Sequence, residues 1–174
     1  MKHIGIHLRW TAAAVLLLAL LGGCGRATSP LQDQAAPDFT LPLLEGGEMN
    51  LAAHRGNDVV VLDFWAVWCG PCREGLPAIA ELAQQFEGQP VAVYAVNLGD
   101  SRPQIEGFLK AEGVNIAVAL DAEAVVGEQF QVRSIPTTLV IDRKGVVRHS
   151  HIGFSPSLAR ETAASIEALL NEEG

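Results

Sequence analysis

Val59-Val60-Val61-Leu62-Asp63-Phe64 is a short, nearly continuous apolar run rich in β-branched residues, the pattern of a strand buried on both faces of a sheet. Such a strand needs neighbours along both edges and a covering layer on each face, which confines the chain to a layered α/β arrangement. Trp65-Ala66-Val67-Trp68 then lead into Cys69-Gly70-Pro71-Cys72. A helix is predicted from about Cys69–Pro71 to Phe86, because Leu76, Ile79, Ala80, Leu82, Ala83 and Phe86 recur at helical spacing.

The rest of the chain fits this frame. Phe39-Thr40-Leu41 and Met49-Asn50-Leu51 flank the turn-rich Glu45-Gly46-Gly47-Glu48 and predict a small edge hairpin. Strands are expected at Val91–Val96 and Ile116–Leu120, and helices at Pro103–Glu112 and Ala122–Phe130. Thr137–Ile141 and Val146–His151, joined by Asp142-Arg143-Lys144-Gly145, read as an antiparallel hairpin. A last helix is expected over Pro156–Leu170, with Ser155 as its N-cap. Alternating strands and helices predict one domain over residues 37–174, with a mostly parallel central sheet, an antiparallel C-terminal hairpin and helices on both faces.

Composition narrows the chemistry. With 20 acidic and 12 basic residues, the net charge of −8 has the wrong sign for tracking nucleic acid or coating an anionic membrane. The three cysteines, Cys24, Cys69 and Cys72, are too few for a disulfide scaffold or a four-thiolate zinc site. Cys69 and Cys72, with two residues between them on a first helical turn, stand close enough to form a disulfide with little backbone movement. The Cys69 sulfur meets the unpaired N–H groups and positive dipole end of the helix, which favour thiolate. Cys69 is therefore expected to be the attacking nucleophile and Cys72 the resolving thiol. Pro71 suits the first turn, where its missing N–H costs nothing. Half a zinc site and a structural disulfide without turnover are the alternatives at this pair.

The N-terminus reads as an address. Lys2 and Arg9, without an acid, precede the apolar run Ala12–Leu21, which is too short to span a bilayer. A buried hydrophobic helix is the competing reading of this run. Leu21-Gly22-Gly23-Cys24 resembles the lipobox of bacterial lipoproteins, which implies a signal peptide over residues 1–23 and lipidation of Cys24. Residues 24–36, small, polar and proline-containing without periodicity, are expected to form the lipid anchor and a flexible tether.

Val61-Leu62-Asp63-Phe64-Trp65-Ala66-Val67-Trp68-Cys69-Gly70-Pro71-Cys72 resembles the active-site strand and turn of thioredoxins. Ala36-Pro37-Asp38-Phe39-Thr40-Leu41-Pro42 and Ser134-Ile135-Pro136-Thr137-Thr138 extend the similarity to the membrane-anchored thioredoxin-like reductases of the TlpA and ResA kind, over about Ala36–Leu170. The resemblance implies a thioredoxin-like fold in which Pro103–Glu112 and Ile116–Leu120 form the family's central helix–strand insert. It implies that Pro136 is the cis-proline facing the dithiol, leaving the Ile135 backbone free to pair with an extended substrate segment. Asp63 matches the buried aspartate of thioredoxins; inside the apolar run its acidity is weakened by desolvation, so it is expected to take the proton of Cys72, with a strand-end acid facing water as the alternative reading. Many anchored relatives carry a glutamate three residues after the second cysteine, where this chain has Gly75, while Glu74 is expected to point elsewhere.

The implied activity is thiol-disulfide exchange at the extracytoplasmic face of a bacterial envelope, reducing disulfides of envelope proteins, with apocytochrome c among the candidates. A membrane-embedded thiol reductant is the implied donor. The implied protein is a monomer with no cofactor, metal or nucleic acid. Trp68 is expected to shape the substrate groove, and Trp65 to border the dithiol or join the core. His149 and His151 share a face of the last strand and read as an exposed sheet edge rather than a metal grip, and Arg73, His54 and Arg143-Lys144 as solvated surface. Two other functions compete. A peroxiredoxin resembles Ala36–Leu41 but needs a proline and a hydroxyl residue where this chain has Leu62 and Ala66. A copper-delivery lipoprotein spaces its cysteines by three residues and adds a histidine, unlike Cys69-Gly70-Pro71-Cys72.

Overall fold

The computed structural model describes residues 28–172. The expected signal peptide and Cys24 lie outside the described residues. Strand β3 (Val59–Trp65) is buried at every position and is the middle of a five-stranded sheet. It pairs in parallel with β4 (Val91–Leu98) and antiparallel with β6 (Thr137–Ile141). Next to β4 lies the parallel β5 (Val118–Asp121), and next to β6 the antiparallel β7 (Val147–Ile152), giving the order β5-β4-β3-β6-β7. Four of the five strands therefore run one way and β6 runs opposite. A separate hairpin joins β1 (Thr40–Pro42) to β2 (Glu48–Asn50), as its turn residues predict.

Alternation along β3 separates two cores. Val59, Val61, Asp63 and Trp65 face three helices: α1 (Gly70–Gln85), α2 (Arg102–Glu112) and α4 (Leu158–Asn171). Val60, Leu62 and Phe64 face Phe39, Met49, Leu51 and Phe130, from the hairpin side and from the end of the short α3 (Val125–Gln129). The central insert is α2 with β5, and the Arg102 guanidinium ties it to the hairpin by donating to the Leu44 carbonyl.

Three expectations are corrected. Helix α3 is shorter than Ala122–Phe130 because the chain first turns at Asp121, with Ala124 left-handed (φ 56°). The Asp121 carboxylate then accepts the Gly127 N–H at 2.8 Å. Helix α4 is preceded by Ser157, not Ser155; the Ser157 hydroxyl donates to Glu161 at 2.8 Å, and the two serine hydroxyls meet at 3.1 Å. Most consequentially, the segment read as a tether is docked from Ser29 to Ala36. Leu31 and Ala36 are buried, Asp33 donates to the Val147 carbonyl at 2.7 Å, and Val147 donates back to Gln34 at 2.9 Å. The physical reason is the open edge of β7, whose unpaired backbone groups this segment satisfies. The opposite edge is covered likewise, with Leu44 donating to the Val118 carbonyl at 2.8 Å.

Candidate active site

At the C-terminal end of β3 the chain leaves the sheet and enters α1, and this junction carries the two cysteines. Asp100 holds the junction: its carboxylate accepts the Val67 N–H at 2.6 Å and the Asn97 side-chain amide at 2.9 Å. Asn97 is buried at the end of β4 and accepts the Asp100 N–H at 3.1 Å. Sequence reasoning missed this clamp, whose only trace is a polar Asn97-Leu98-Gly99-Asp100 directly after an apolar strand.

Cys69 is the N-cap of α1, with its sulfur 3.2 Å from the Cys72 N–H, and Pro71 sits in the first turn. Cys69 and Cys72 form a disulfide with an S–S distance of 2.07 Å. Facing it, the Ile135–Pro136 peptide bond is cis, and the Ile135 carbonyl oxygen lies 3.7 Å from the Cys69 sulfur. The two tryptophans divide sharply. Trp65 is fully buried against Phe108, at 5.4 Å between ring centroids, whereas Trp68 is 74% exposed beside Cys69. An indole held out in water next to the dithiol is a ready apolar contact for a docking chain.

Asp63 is 2% exposed on the β3 face that packs against α1. Burial pushes its carboxyl up to about 7, while the Thr138 hydroxyl, donating to it at 2.7 Å, pulls the other way. Gly75 has a structural explanation as well. A Cβ added there would stand 3.1 Å from the Phe154 ring, so Phe154 occupies the space that a side chain at this position would need. Glu74 is exposed, as expected.

The remaining sequence candidates lie apart from the dithiol. His54 is not free surface: Nδ1 contacts Asp58 at 2.7 Å and Nε2 meets the Tyr94 hydroxyl at 3.2 Å. Arg73 is exposed, 3.6 Å from Glu112 and over the Phe108 ring. His149 is exposed, and His151 stands 3.7 Å from Glu161. Among the described residues no cluster of three metal-ligating side chains occurs.

A disulfide closed between two cysteines of one helix N-terminus is the arrangement that thiol-disulfide exchange uses. The comparisons agree. The AhpC/TSA family model matches residues 33–150. Among similar proteins, the thiol-disulfide oxidoreductase ResA of Geobacillus thermodenitrificans is 35% identical, over 79% of this chain and 82% of its own length. The thioredoxin-like protein YneN of Bacillus subtilis is 32% identical, over 83% and 90%. A Chlorobium tepidum protein assigned as a thiol:disulfide interchange protein DsbE superposes with a TM-score of 0.72 at 33% identity, over 84% of this chain and 99% of that one. The thioredoxin domain of a Bacteroides vulgatus thiol-disulfide oxidoreductase, at 19% identity and a TM-score of 0.67 over 82% and 99%, shares the fold. The chain belongs to the AhpC/TSA family and is a thiol-disulfide oxidoreductase with the thioredoxin-like fold.

The raised pKa of Asp63 carries a stability cost with a definite pH window. The folded state holds the proton up to about pH 7 and the unfolded chain releases it near 3.8, so stability falls as pH rises between those values. The full difference is at most about 4 kcal/mol. Asp63→Asn is therefore expected to match the parent near pH 4 and to exceed it by a few kcal/mol at pH 8. Urea unfolding at both pH values checks this; equal stability at pH 8 contradicts it.

Proposed function

We propose that this chain reduces disulfides in extracytoplasmic proteins, with Cys69 as nucleophile, Cys72 as resolving thiol and Asp63 as proton acceptor. The observation that carries the assignment is the position of Cys69 at the N-cap of α1, where the Cys72 N–H already points at its sulfur. That donor and the helix dipole favour the Cys69 thiolate. Cys69 attacks a substrate disulfide and forms a mixed disulfide. Cys72 then gives its proton to Asp63, bonds to Cys69 and releases the substrate as a dithiol. Two electrons pass from the protein to the substrate, and the Cys69–Cys72 disulfide remains. Ile135 and Pro136 present backbone to an extended substrate segment, and Trp68 supplies its apolar contact.

The substrates are envelope proteins bearing disulfides, apocytochrome c among them, and the chain acts as a monomer. The lipobox-like Leu21-Gly22-Gly23-Cys24 supports anchoring through lipid on Cys24, after removal of residues 1–23. A dithiol kept reduced in an oxidising compartment needs a donor, and a membrane-embedded thiol reductant fits a tethered protein.

Alkylation of the reduced protein against pH is expected to reveal one thiol reacting at distinctly lower pH than the other, lost in Cys69→Ser and kept in Cys72→Ser. The reverse pattern exchanges the two roles. Cys72→Ser is also expected to accumulate mixed disulfides with its substrates. For the anchor, mass spectrometry of the mature N-terminus is expected to find Cys24 first and lipidated; an unlipidated start elsewhere removes the anchor.

A further inference from the structure

Asp63 lies in one row of residues that crosses three strands. Its register partner on β6 is Thr138, and the partner of Thr138 on β7 is His151. Residues paired in this way project from the same face, so Asp63, Thr138 and His151 point in turn toward α4. There Glu161 stands 3.7 Å from the His151 ring. The outer end of the row opens into a cleft of about 430 Å³ between β6, β7 and α4, lined by Thr138, His149, His151, Phe154 and Glu161 among others. Its polar lining and size admit water.

Among the described residues, the other elements beside Asp63 bring mostly apolar side chains. Its register partner on β4 is Ala95, α2 contributes Ile105 and Phe108, and Val61 and Trp65 flank it along β3. From α1 comes Cys72, whereas Arg73 and Glu74 are exposed. Phe154 packs on Gly75 one turn beyond Cys72, so the end of the cleft against α1 is apolar. Thr138 is left as the polar wall, donating to Asp63 on one side and lining the cleft on the other. Among the described residues, the titratable groups around the row and its cleft include Cys72, His149 and Glu161 beside His151 itself.

This position suits a particular need. In the mixed disulfide the substrate covers Cys69 and Ile135, so the proton that Asp63 takes from Cys72 has to leave on the far side. We propose that Thr138 and, beyond the His151 ring, Glu161 are positioning residues that keep Asp63 in proton exchange with this cleft and set the pH at which it accepts the Cys72 proton. The proposal rests on the reading of Asp63 as that acceptor. As the Cys72–Cys69 bond forms and the Cys69–substrate bond breaks, the substrate sulfur leaves as thiolate and Asp63 becomes neutral. The Thr138 hydroxyl, which donates to the ionised Asp63, then turns its hydrogen to the cleft, accepts the Asp63 proton and releases its own to water there, and solvent protonates the leaving thiolate. The hydroxyl favours the ionised acid, and the Glu161 carboxylate opposes it.

The test uses the reduced protein mixed rapidly with 5,5′-dithiobis(2-nitrobenzoate). The first thiolate released reports attack by Cys69, and the second reports resolution by Cys72. Thr138→Val is expected to raise the pH midpoint of the second phase by about one pH unit, and Thr138→Ser to keep it near the parent value. His151 stands two strands from Asp63, about 9–10 Å away, and Glu161 lies beyond it, so the Glu161 charge counts for a fraction of a pH unit after screening. Glu161→Gln is expected to lower the midpoint, with the first phase unchanged in all three variants. A purely structural role does not produce opposite signs. The control is Asp63→Asn. If it removes the pH dependence of the second phase while the Thr138 and Glu161 variants leave the midpoint in place or move it in one direction, the proposal is overturned and the Asp63 reading stands. If Asp63→Asn leaves the profile unchanged, the Asp63 reading itself falls, and this proposal with it.

Discussion

Everything at the active site hangs on the burial of β3 between β4 and β6. Hydrogen-bonded on both edges and covered on both faces, the strand has no freedom to shift, and a one-residue slip would exchange its two faces. Register therefore fixes three positions at once. Asp63 is pinned inside the helical layer, Trp65 is pinned against Phe108, and the chain emerges at Ala66–Trp68 where Asp100 receives it. The dithiol inherits this rigidity, because Cys69 accepts the first-turn N–H of a helix whose core residues Leu76, Ile79 and Leu82 are fully covered. The cysteines are held by the strand that delivers them, the Asp100 clamp that receives the chain and the helix that Cys69 caps.

The same burial sets the main conflict of the fold. A carboxyl inside an otherwise apolar strand costs stability once it ionises, and an apolar residue in its place would remove that cost. The protein softens the conflict without resolving it, because the Thr138 hydroxyl donates to the Asp63 carboxylate. A group left near neutrality in its proton affinity is poor for stability and well matched to moving a proton at physiological pH. Stability is given up at one residue, and the sheet around it supplies the surplus.

Legibility in the sequence follows the range of each interaction. The β3 run, the Gly-Pro turn between the cysteines and the amphipathic α1 are written in adjacent residues, and they read correctly from spacing alone. So do the β1–β2 hairpin and the Asp142–Gly145 turn, where the Asp142 carboxylate accepts the Lys144 and Val146 N–H groups at 2.9 Å and Gly145 is left-handed. What was misread depends on distant partners. Ser29–Ala36 has no strand periodicity because it docks on the edge of β7 through scattered backbone bonds, with Leu31 and Ala36 its only buried apolar residues and the Gln32 side chain reaching Arg148 and Ser150. His54 looks like surface until Tyr94 arrives from β4. The burial of Asp63 is visible in the apolar run, but its partner Thr138 emerges only from the β3–β6 register, and the contact of Phe154 with Gly75 only from packing. Ser155 and Ser157 are both cap-type residues, and the one that precedes the helix, Ser157, is the one whose hydroxyl reaches Glu161 in the first turn.

The central claim concerns the direction of electron flow. In this fold the reduction potential follows how strongly the reduced dithiol is stabilised, from about −270 mV in thioredoxin to about −120 mV in the oxidant DsbA, a span of about 7 kcal/mol. Here the Cys69 sulfur has the helix N-terminus and the Cys72 N–H, with Gly70 and Pro71 between the cysteines adding no further donor from a side chain. Once ionised, Asp63 behind them disfavours a second negative charge. The decisive measurement is the equilibrium potential of the Cys69–Cys72 couple against dithiothreitol or glutathione. A value toward the thioredoxin end is expected for a reductase, and a value near the DsbA end would contradict the account and make the protein an oxidant.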